Sequence, residues 1–598
     1  MKTNRIRRSE RVMRNFQKLL GAVIAIAWFS TLTAQAQLYT ERFTPERVEA
    51  ERQLGGLLVQ DTPATIYLWA NKYVYTVGEA LELRWTINPN SDLYPYTFFV
   101  YRQNTNSGEK LYLPNLTPAV TDIFGRGAGE FTIQRIPTAA KQVLVGASGQ
   151  FPASPTAPNT VGSYQYVAEI RDYTGTRVVR AAYAKFGVVA TTVNVPAGDI
   201  TADTTWSSGN AYRITGSVFV MAPATLTIEP GTFILGQGQT AFLAITQGAK
   251  INACGTRARP IVFSSTLPVG QRSAGDWGGL VINGRATINQ PGGTALSEGI
   301  DDPVRGTFGG TDDNDNSGAL CYVRVEFGGV QFTTENELNG IAFQGVGRGT
   351  TVHHIQTHYG SDDGVEFFGG TVDAKYVISS SMNDDLIDWT WGWRGRVQFA
   401  IGRQNAQVGA DNGFEADNNS NNHDLLPRSR PVFYNVTMVG DPVNSSLGSD
   451  DGVEARVGTG ADINNLIVLG FGENGVDLTD DSTFTQGTNG NFRMRSTILW
   501  DNAAGNQTFD GQFASDTLAF GQAQTNLRVV DPKLRKPFDL NDPDYRPADG
   551  SATGTVGQVQ TPPDDGFFDT SVGFIGAMGD EDWTEEWTNF LEEADVAP

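Results

Sequence analysis

Acidic residues recur in this chain in a fixed setting. The segments Glu337-Leu338-Asn339-Gly340-Ile341, Asp362-Asp363-Gly364-Val365-Glu366 and Asp384-Asp385-Leu386-Ile387-Asp388 share one pattern. Asp411-Asn412-Gly413-Phe414-Glu415, Asp450-Asp451-Gly452-Val453-Glu454 and Glu473-Asn474-Gly475-Val476-Asp477 continue it, with one longer interval between Gly413 and Gly452. If the copies stack as neighbouring strands, their carboxylates approach to about 5 Å and repel unless a cation or a hydrogen-bond donor lies between them. Ca²⁺ offers that relief with the oxygen ligands it prefers, and Asp362, Asp363, Asp384, Asp385 and Asp388 are the expected ligands. The competing role for the same residues is capping backbone amides at turns.

A second acidic stretch, Asp313-Asn314-Asp315-Asn316-Ser317-Gly318, places acceptors at the first, third and fifth positions and Gly at the sixth, as calcium loops do. Its twelfth position is Arg324, so the bidentate Glu is missing, and an Asn- and Gly-rich turn before a strand at Leu320 accounts for the same residues. A third stretch runs from Asp388 to Arg396. If it is extended, Trp389, Trp391 and Trp393 share one face and form a stacking platform for sugar rings, with Arg394 and Arg396 available to an acidic polysaccharide. The alternative is that the indoles pack beneath an inserted loop as a satellite core. Of the four histidines, His354 and His358 are four apart, but no third supported ligand suggests a zinc site.

The elements that must position these residues are strands. A repeat of roughly two dozen residues with short β-rich runs and Asn or Gly at the turns describes a solenoid, one rung per repeat. Val352, Ile355, Val377, Ile378, Ile463 and Ile467 are expected to fill its interior, and the longest excursion, around 416–430, to leave it as a loop. Upstream, Leu81, Leu83, Trp85 and Ile87 alternate with polar residues. With similar runs at 96–101, 164–171 and 177–189 they predict a small antiparallel sandwich of immunoglobulin type. Downstream, Trp583, Trp587 and Leu591 share a face at helical spacing, which predicts a short helix covering an end of the solenoid.

The chain opens with Lys2, Arg5, Arg7, Arg8, Arg11, Arg14 and Lys18, an apolar run from Leu19 to Phe29, and Ala34-Gln35-Ala36. That order describes a secretory signal peptide over 1–36. The run is short for a membrane anchor, no other segment is apolar enough to span, and neither cysteine follows the run to carry a lipid. The expected divisions are therefore a signal peptide at 1–36, a sandwich at 37–190, a solenoid at 195–545 and a closing segment at 546–598, with the sandwich–solenoid boundary in the Thr-, Asp- and Pro-rich stretch 191–203. The 598 residues carry a net charge of −22, which removal of the leader makes more negative. Phosphate backbones need a positive surface, so nucleic acid is excluded as a partner. Between Cys254 and Cys321 lies enough chain for two or three rungs, roughly 10 to 14 Å along the axis at the strand spacing, too far for a disulfide unless the stretch 271–317 folds back.

Leu226-Thr227-Ile228-Glu229-Pro230-Gly231-Thr232, Trp277-Gly278-Gly279-Leu280, Tyr322 to Gly329 and Asp363 to Val372 resemble a widespread group of secreted bacterial right-handed parallel β-helix proteins. The group shares its architecture with pectate lyases, and most of its members have no assigned activity. The resemblance covers roughly 195–590 and implies an all-β fold, a right-handed parallel β-helix preceded by a small antiparallel β-sandwich. It says little about chemistry, since such solenoids host unrelated functions. No run matches the catalytic strands of pectate lyases, and the Gly-His-Gly and Arg-Ile-Lys segments near the catalytic aspartates of polygalacturonases are absent. The reading favoured here is a secreted, extracellular or cell-surface-associated, non-enzymatic scaffold. It would bind polysaccharide or a cell-surface component, with Ca²⁺ as a structural ion. A calcium-dependent polysaccharide lyase, a glycoside hydrolase and a purely structural envelope protein are the alternatives.

Overall fold

The computed structural model describes residues 65–88, 96–112, 130–133, 147–150, 157–171, 178–333, 336–502, 509–510, 528–554 and 558–593. The expected signal peptide at 1–36 and the expected turn at 172–175 lie outside them. The main body is a right-handed parallel β-helix, with two long parallel sheets of 15 and 11 strands among the described residues. Its core is one continuous stack from Trp206 to Leu499, in which each rung contributes alternate residues of its short strands.

The first rungs have three strands. Those of the third column, Thr204–Trp206, Thr225–Ile228 and Lys250–Cys254, pair in parallel from rung to rung. At Gly318–Glu326 this column and its neighbour fuse into one long strand that pairs with both Lys250–Cys254 and Ile261–Ser265. The fused strand bends at Tyr322, which takes a left-handed φ of 50°. The register repeats that bend at His354, Tyr376, Phe399, Asn435, Asn465 and Ser496, all with positive φ. Such backbone is strained for residues with a Cβ. Here stacking compensates: Tyr322 lies on His354 and His354 on Tyr376, with ring centroids 4.2 Å apart in each pair.

Several sequence expectations change. The parallel ladder already pairs Thr191–Val195 with Asn210–Ile214, so 191–203 is the first rung and not a linker. Ile378 and Ile467 face outward, because positions on either side of the bend shift alternation, and they are buried under the closing segment. That segment forms turns around Trp583–Trp587 and lies along the flank of the solenoid rather than over an end. Trp587 meets Tyr322 and His354 edge-on, Trp583 meets Tyr376, and Asn435 and Asn465 donate to the carbonyls of Phe574 and Gln560.

Cys254 and Cys321 form a disulfide, contrary to the distance argument. They are register partners on adjacent strands, with Cα atoms 4.3 Å apart. The 67-residue separation holds only one rung, because most of 266–317 leaves the cylinder and returns. Ile288, Ile300 and Phe308 of this insertion pack on the outside of the 11-stranded sheet, over Phe242, Val281 and Phe368.

Upstream of the solenoid stand two sheets, one antiparallel and one antiparallel but for a single strand. Thr65–Ala70, Leu83–Asn88 and Ala147–Gln150 form one. In the other, Val74–Thr76 runs parallel beside the last strand, Val178–Val189, which continues to Gly162–Arg171 and Tyr96–Asn104. Tyr75, Tyr166 and Phe186 pack together in its core. No helix among the described residues is long and apolar enough to cross a membrane.

Candidate functional site

The repeated motif builds one face of the 11-stranded sheet. Ile341–Gln344, Val365–Phe368, Ile387–Thr390, Phe414–Ala416, Glu454–Ala455 and Val476–Leu478 stack in register. Gly340, Gly364, Leu386, Gly413, Gly452 and Gly475 therefore form one column just before them, tied by backbone bonds such as Gly364 N to Asp385 O at 3.0 Å and Gly452 N to Asn474 O at 2.9 Å. Within each strand the residues flanking the acid point inward: Val365 and Phe367, then Ile387 and Trp389. The acid between them is forced outward by the period of two.

Three columns of polar residues result. Glu366, Asp388, Glu415, Glu454 and Asp477 are register neighbours within the strands. Asn339, Asp363, Asp385, Asn412, Asp451 and Asn474 precede the glycine column, and Asp362, Asp384, Asp411, Asp450 and Glu473 stand one residue earlier still. The middle column does cap turns. Asp385 N donates to Asp363 Oδ1 at 3.1 Å, Asn412 N to Asp385 Oδ1 at 2.6 Å, and Asp451 N to Asn412 Oδ1 at 3.2 Å.

Capping uses only one oxygen of each group. Asp385 is fully buried and Asp388 is 7% exposed, yet Asp385 Oδ2 and Asp388 Oδ1 have no hydrogen-bond partner among the described residues. Carboxylate oxygens converge here: Asp362, Asp363 and Asp384; Asp363, Glu366 and Asp388; and Asp384, Asp385 and Asp411 each offer one oxygen, all within 4.8 Å of one another in each group. Arg456 neutralises the lower part of the face, pairing with Glu415, Asp417 and Glu454. Among the described residues none of the seven carboxylates of the three groups makes an ion pair, though the charge of Arg456 is felt at Asp384, Asp385 and Asp388.

Their protonation follows from that environment. Burial first, and then the charge of Asp384, pushes Asp362 up to about 9. Burial lifts Asp384 and Asp388 to about 7, Asp385 to about 6 and Asp411 to about 8. Asp363 and Glu366 stand well above the carboxylate range for the same reason, with neighbouring Asp362 and Asp388 adding to it. Without a counter-ion, several of these groups hold protons at neutral pH.

The sequence-predicted ligands Asp362, Asp363, Asp384, Asp385 and Asp388 thus come together. Glu366 and Asp411 join them and were legible in the same motif. Glu298, which adds charge to Asp362 from the insertion, carries no sequence signal. Asp313 and Asp315 lie elsewhere and, among the described residues, join no cluster of carboxylates. Asp313 accepts from Thr287 N and Arg394, Asp315 accepts from Ser317 Oγ, and Asn316 caps Gly318 N.

The tryptophan platform does not form either. The strand ends at Thr390, and Trp391, with a φ of 50°, and Gly392 turn the chain, so alternation stops. Trp389 and Trp393 are fully buried in the solenoid core, Trp393 stacked on Phe367 at 3.9 Å. Trp391 packs against Phe308 and Phe368. Arg394 is held by Asp313, and Arg396 by Asp373 and Asp565.

Residues 198–528 match a protein family described as a pectate-lyase like beta helix domain. No curated protein matches the sequence significantly. Among solved structures, the catalytic unit of the thermostable GH87 alpha-1,3-glucanase from Streptomyces thermodiastaticus strain HF3-3 aligns with 79% of this chain and 96% of its own. The identity is 11% and the TM-score 0.24, a superposition too loose to transfer anything.

Proposed function

The chain belongs to the pectate-lyase-like β-helix family, and on that premise we propose that it is a secreted carbohydrate-binding protein whose acidic face takes divalent cations and presents them to a polysaccharide. The observation that carries this reading is the pair of buried, unpartnered oxygens, Asp385 Oδ2 and Asp388 Oδ1, in a cluster of carboxylates that makes no ion pair among the described residues. A buried carboxylate without a partner is costly, and a cation removes that cost. The donor set is all oxygen, which fits Ca²⁺ and excludes a soft metal as the resident ion. Asp363, Asp384, Asp385 and Asp388 would hold it, with Asp362, Glu366 and Asp411 beside them. Bound there, the ion supplies a Lewis-acidic contact for sugar hydroxyl or carboxylate oxygens. The leader-like segment at 1–36 supports export. The strand order of the N-terminal sheets, with an early strand parallel to the last one, supports an immunoglobulin-like accessory domain.

Calcium titration by calorimetry, followed by a glycan array with and without chelator, tests the proposal. Saturable calcium uptake abolished in Asp385→Asn/Asp388→Asn, with chelator-sensitive glycan binding, is the expected result. No uptake at millimolar calcium overturns it.

A second reading rests on Glu366 and Asp388, register neighbours on adjacent strands whose burial favours the protonated form of each, Asp388 rising to about 7. A carboxylic acid beside a carboxylate is the equipment of a glycoside hydrolase. Release of reducing ends from a polysaccharide, lost in Glu366→Gln, would favour it; unsaturated products from polygalacturonate would instead indicate a lyase.

A further inference from the structure

Outside the acidic face, one buried amine makes no direct ion pair among the described residues. Lys185, on Val178–Val189, is the direct cross-strand partner of Gln165 on Gly162–Arg171. The two residues are 7% and 1% exposed. Lys185 Nζ donates to Gln165 Oε1 at 2.6 Å and to the carbonyl of Ala258 at 3.1 Å, with the charge of Glu586 close by. The carboxamide is oriented in turn: its Nε2 donates to Gln103 Oε1 at 2.8 Å and to Glu586 Oε1 at 3.2 Å. Glu586 reaches it from the closing segment on a left-handed backbone, φ 77°, and its other oxygen faces Arg257. Strain held at a side chain that aims a carboxylate into a buried polar cluster is a mark of function more than of packing.

We propose that Lys185 and Gln165 become joined by an isopeptide bond between Nζ and Cδ, with Glu586 carrying the proton. The amine attacks the carboxamide carbon and a C–N bond forms. The bond from Cδ to Nε2 breaks, and the proton lost by Nζ passes through the Glu586 carboxylate to Nε2, which leaves as ammonia. Atoms balance without oxidant or cofactor. Burial supplies the reactive form of the nucleophile, since desolvation holds the lysine down to about 7 and leaves a large neutral fraction. Because Glu586 belongs to the segment that docks on the solenoid flank, the bond forms only after that segment is in place. It then locks adjacent strands of the N-terminal sheet.

The test is peptide mapping of the full chain by mass spectrometry. One linked species is expected, containing Lys185 and Gln165 and lighter than the two peptides together by one ammonia. Recovery of both residues only in separate peptides of full mass overturns the proposal, and that result needs no variant to fold. Glu586→Gln, checked for a wild-type circular-dichroism spectrum, is expected to slow linkage by about tenfold or more, the scale of a lost proton carrier. Linkage at an unchanged rate overturns the role of Glu586.

Discussion

Leu386 and Gly402 exchange bulk across one rung of the solenoid: a Cβ on Gly402 would come within 2.8 Å of Leu386 Cδ1. One rung earlier the sizes are reversed, and a Cβ on Gly364 would fall 1.9 Å from Ser379 Oγ. At Gly364 and Gly452 the glycine answers to its opposite number, Ser379 and Val468, and the rung with leucine is one where that neighbour is glycine. Gly364→Ala is expected to cost about 1–3 kcal/mol through overpacking. Gly364→Ala/Ser379→Gly should recover part of the loss. Urea unfolding measures both, and equal stability of single and double variants would refute the pairing.

Removing charge from the acidic face should act in opposite directions with and without calcium. Asp385→Asn/Asp388→Asn relieves the burial of like charges, so the calcium-free variant is expected to melt above the calcium-free wild type. Calcium at 100 times its dissociation constant stabilises a binding protein by about 2.7 kcal/mol, and the variant should forfeit that gain. Thermal melts in chelator and in calcium give the comparison.

Asp451 supplies the pH test. Burial raises it to about 8, its Oδ1 has no partner, and the same column holds asparagine at 339, 412 and 474. The folded protein thus binds this proton more tightly than the unfolded chain, whose aspartate titrates near 3.9. Its contribution to stability is fully present below about pH 4 and is lost as pH rises to about 8. Asp451→Asn should match wild type at acid pH and exceed it progressively through that window, by at most about 1.4 kcal/mol per pH unit. A stability difference that does not vary with pH would contradict this.

The disulfide closes a 67-residue separation. Replacing both cysteines by serine is expected to cost up to about 4 kcal/mol on a loop-entropy account. Thiol titration of the unfolded, unreduced wild type should find no free thiol.

The repeated acids made the solenoid and the core of the candidate site legible, because a period of two in each strand and one rung per repeat dictate which side chains share a column. What escaped was whatever depends on where a strand stops. Trp391 and Gly392 end the alternation that would have aligned the tryptophans, and no spacing rule announces a left-handed residue at Tyr322 or Asn435. The excursion of 266–317 likewise hid the closeness of Cys254 and Cys321 and the approach of Glu298 to Asp362. Helical spacing of Trp583 and Trp587 misled because their partners are the ring edges of Tyr322, His354 and Tyr376, not a helix-shaped groove.

The stack from Tyr322 through Phe399 is covered by Trp583 and Trp587, residues that a ribosome delivers only after the solenoid strands. Until those residues emerge, the edges of a stacked aromatic column stay wetted on that flank, and a product terminated before them exposes the column permanently.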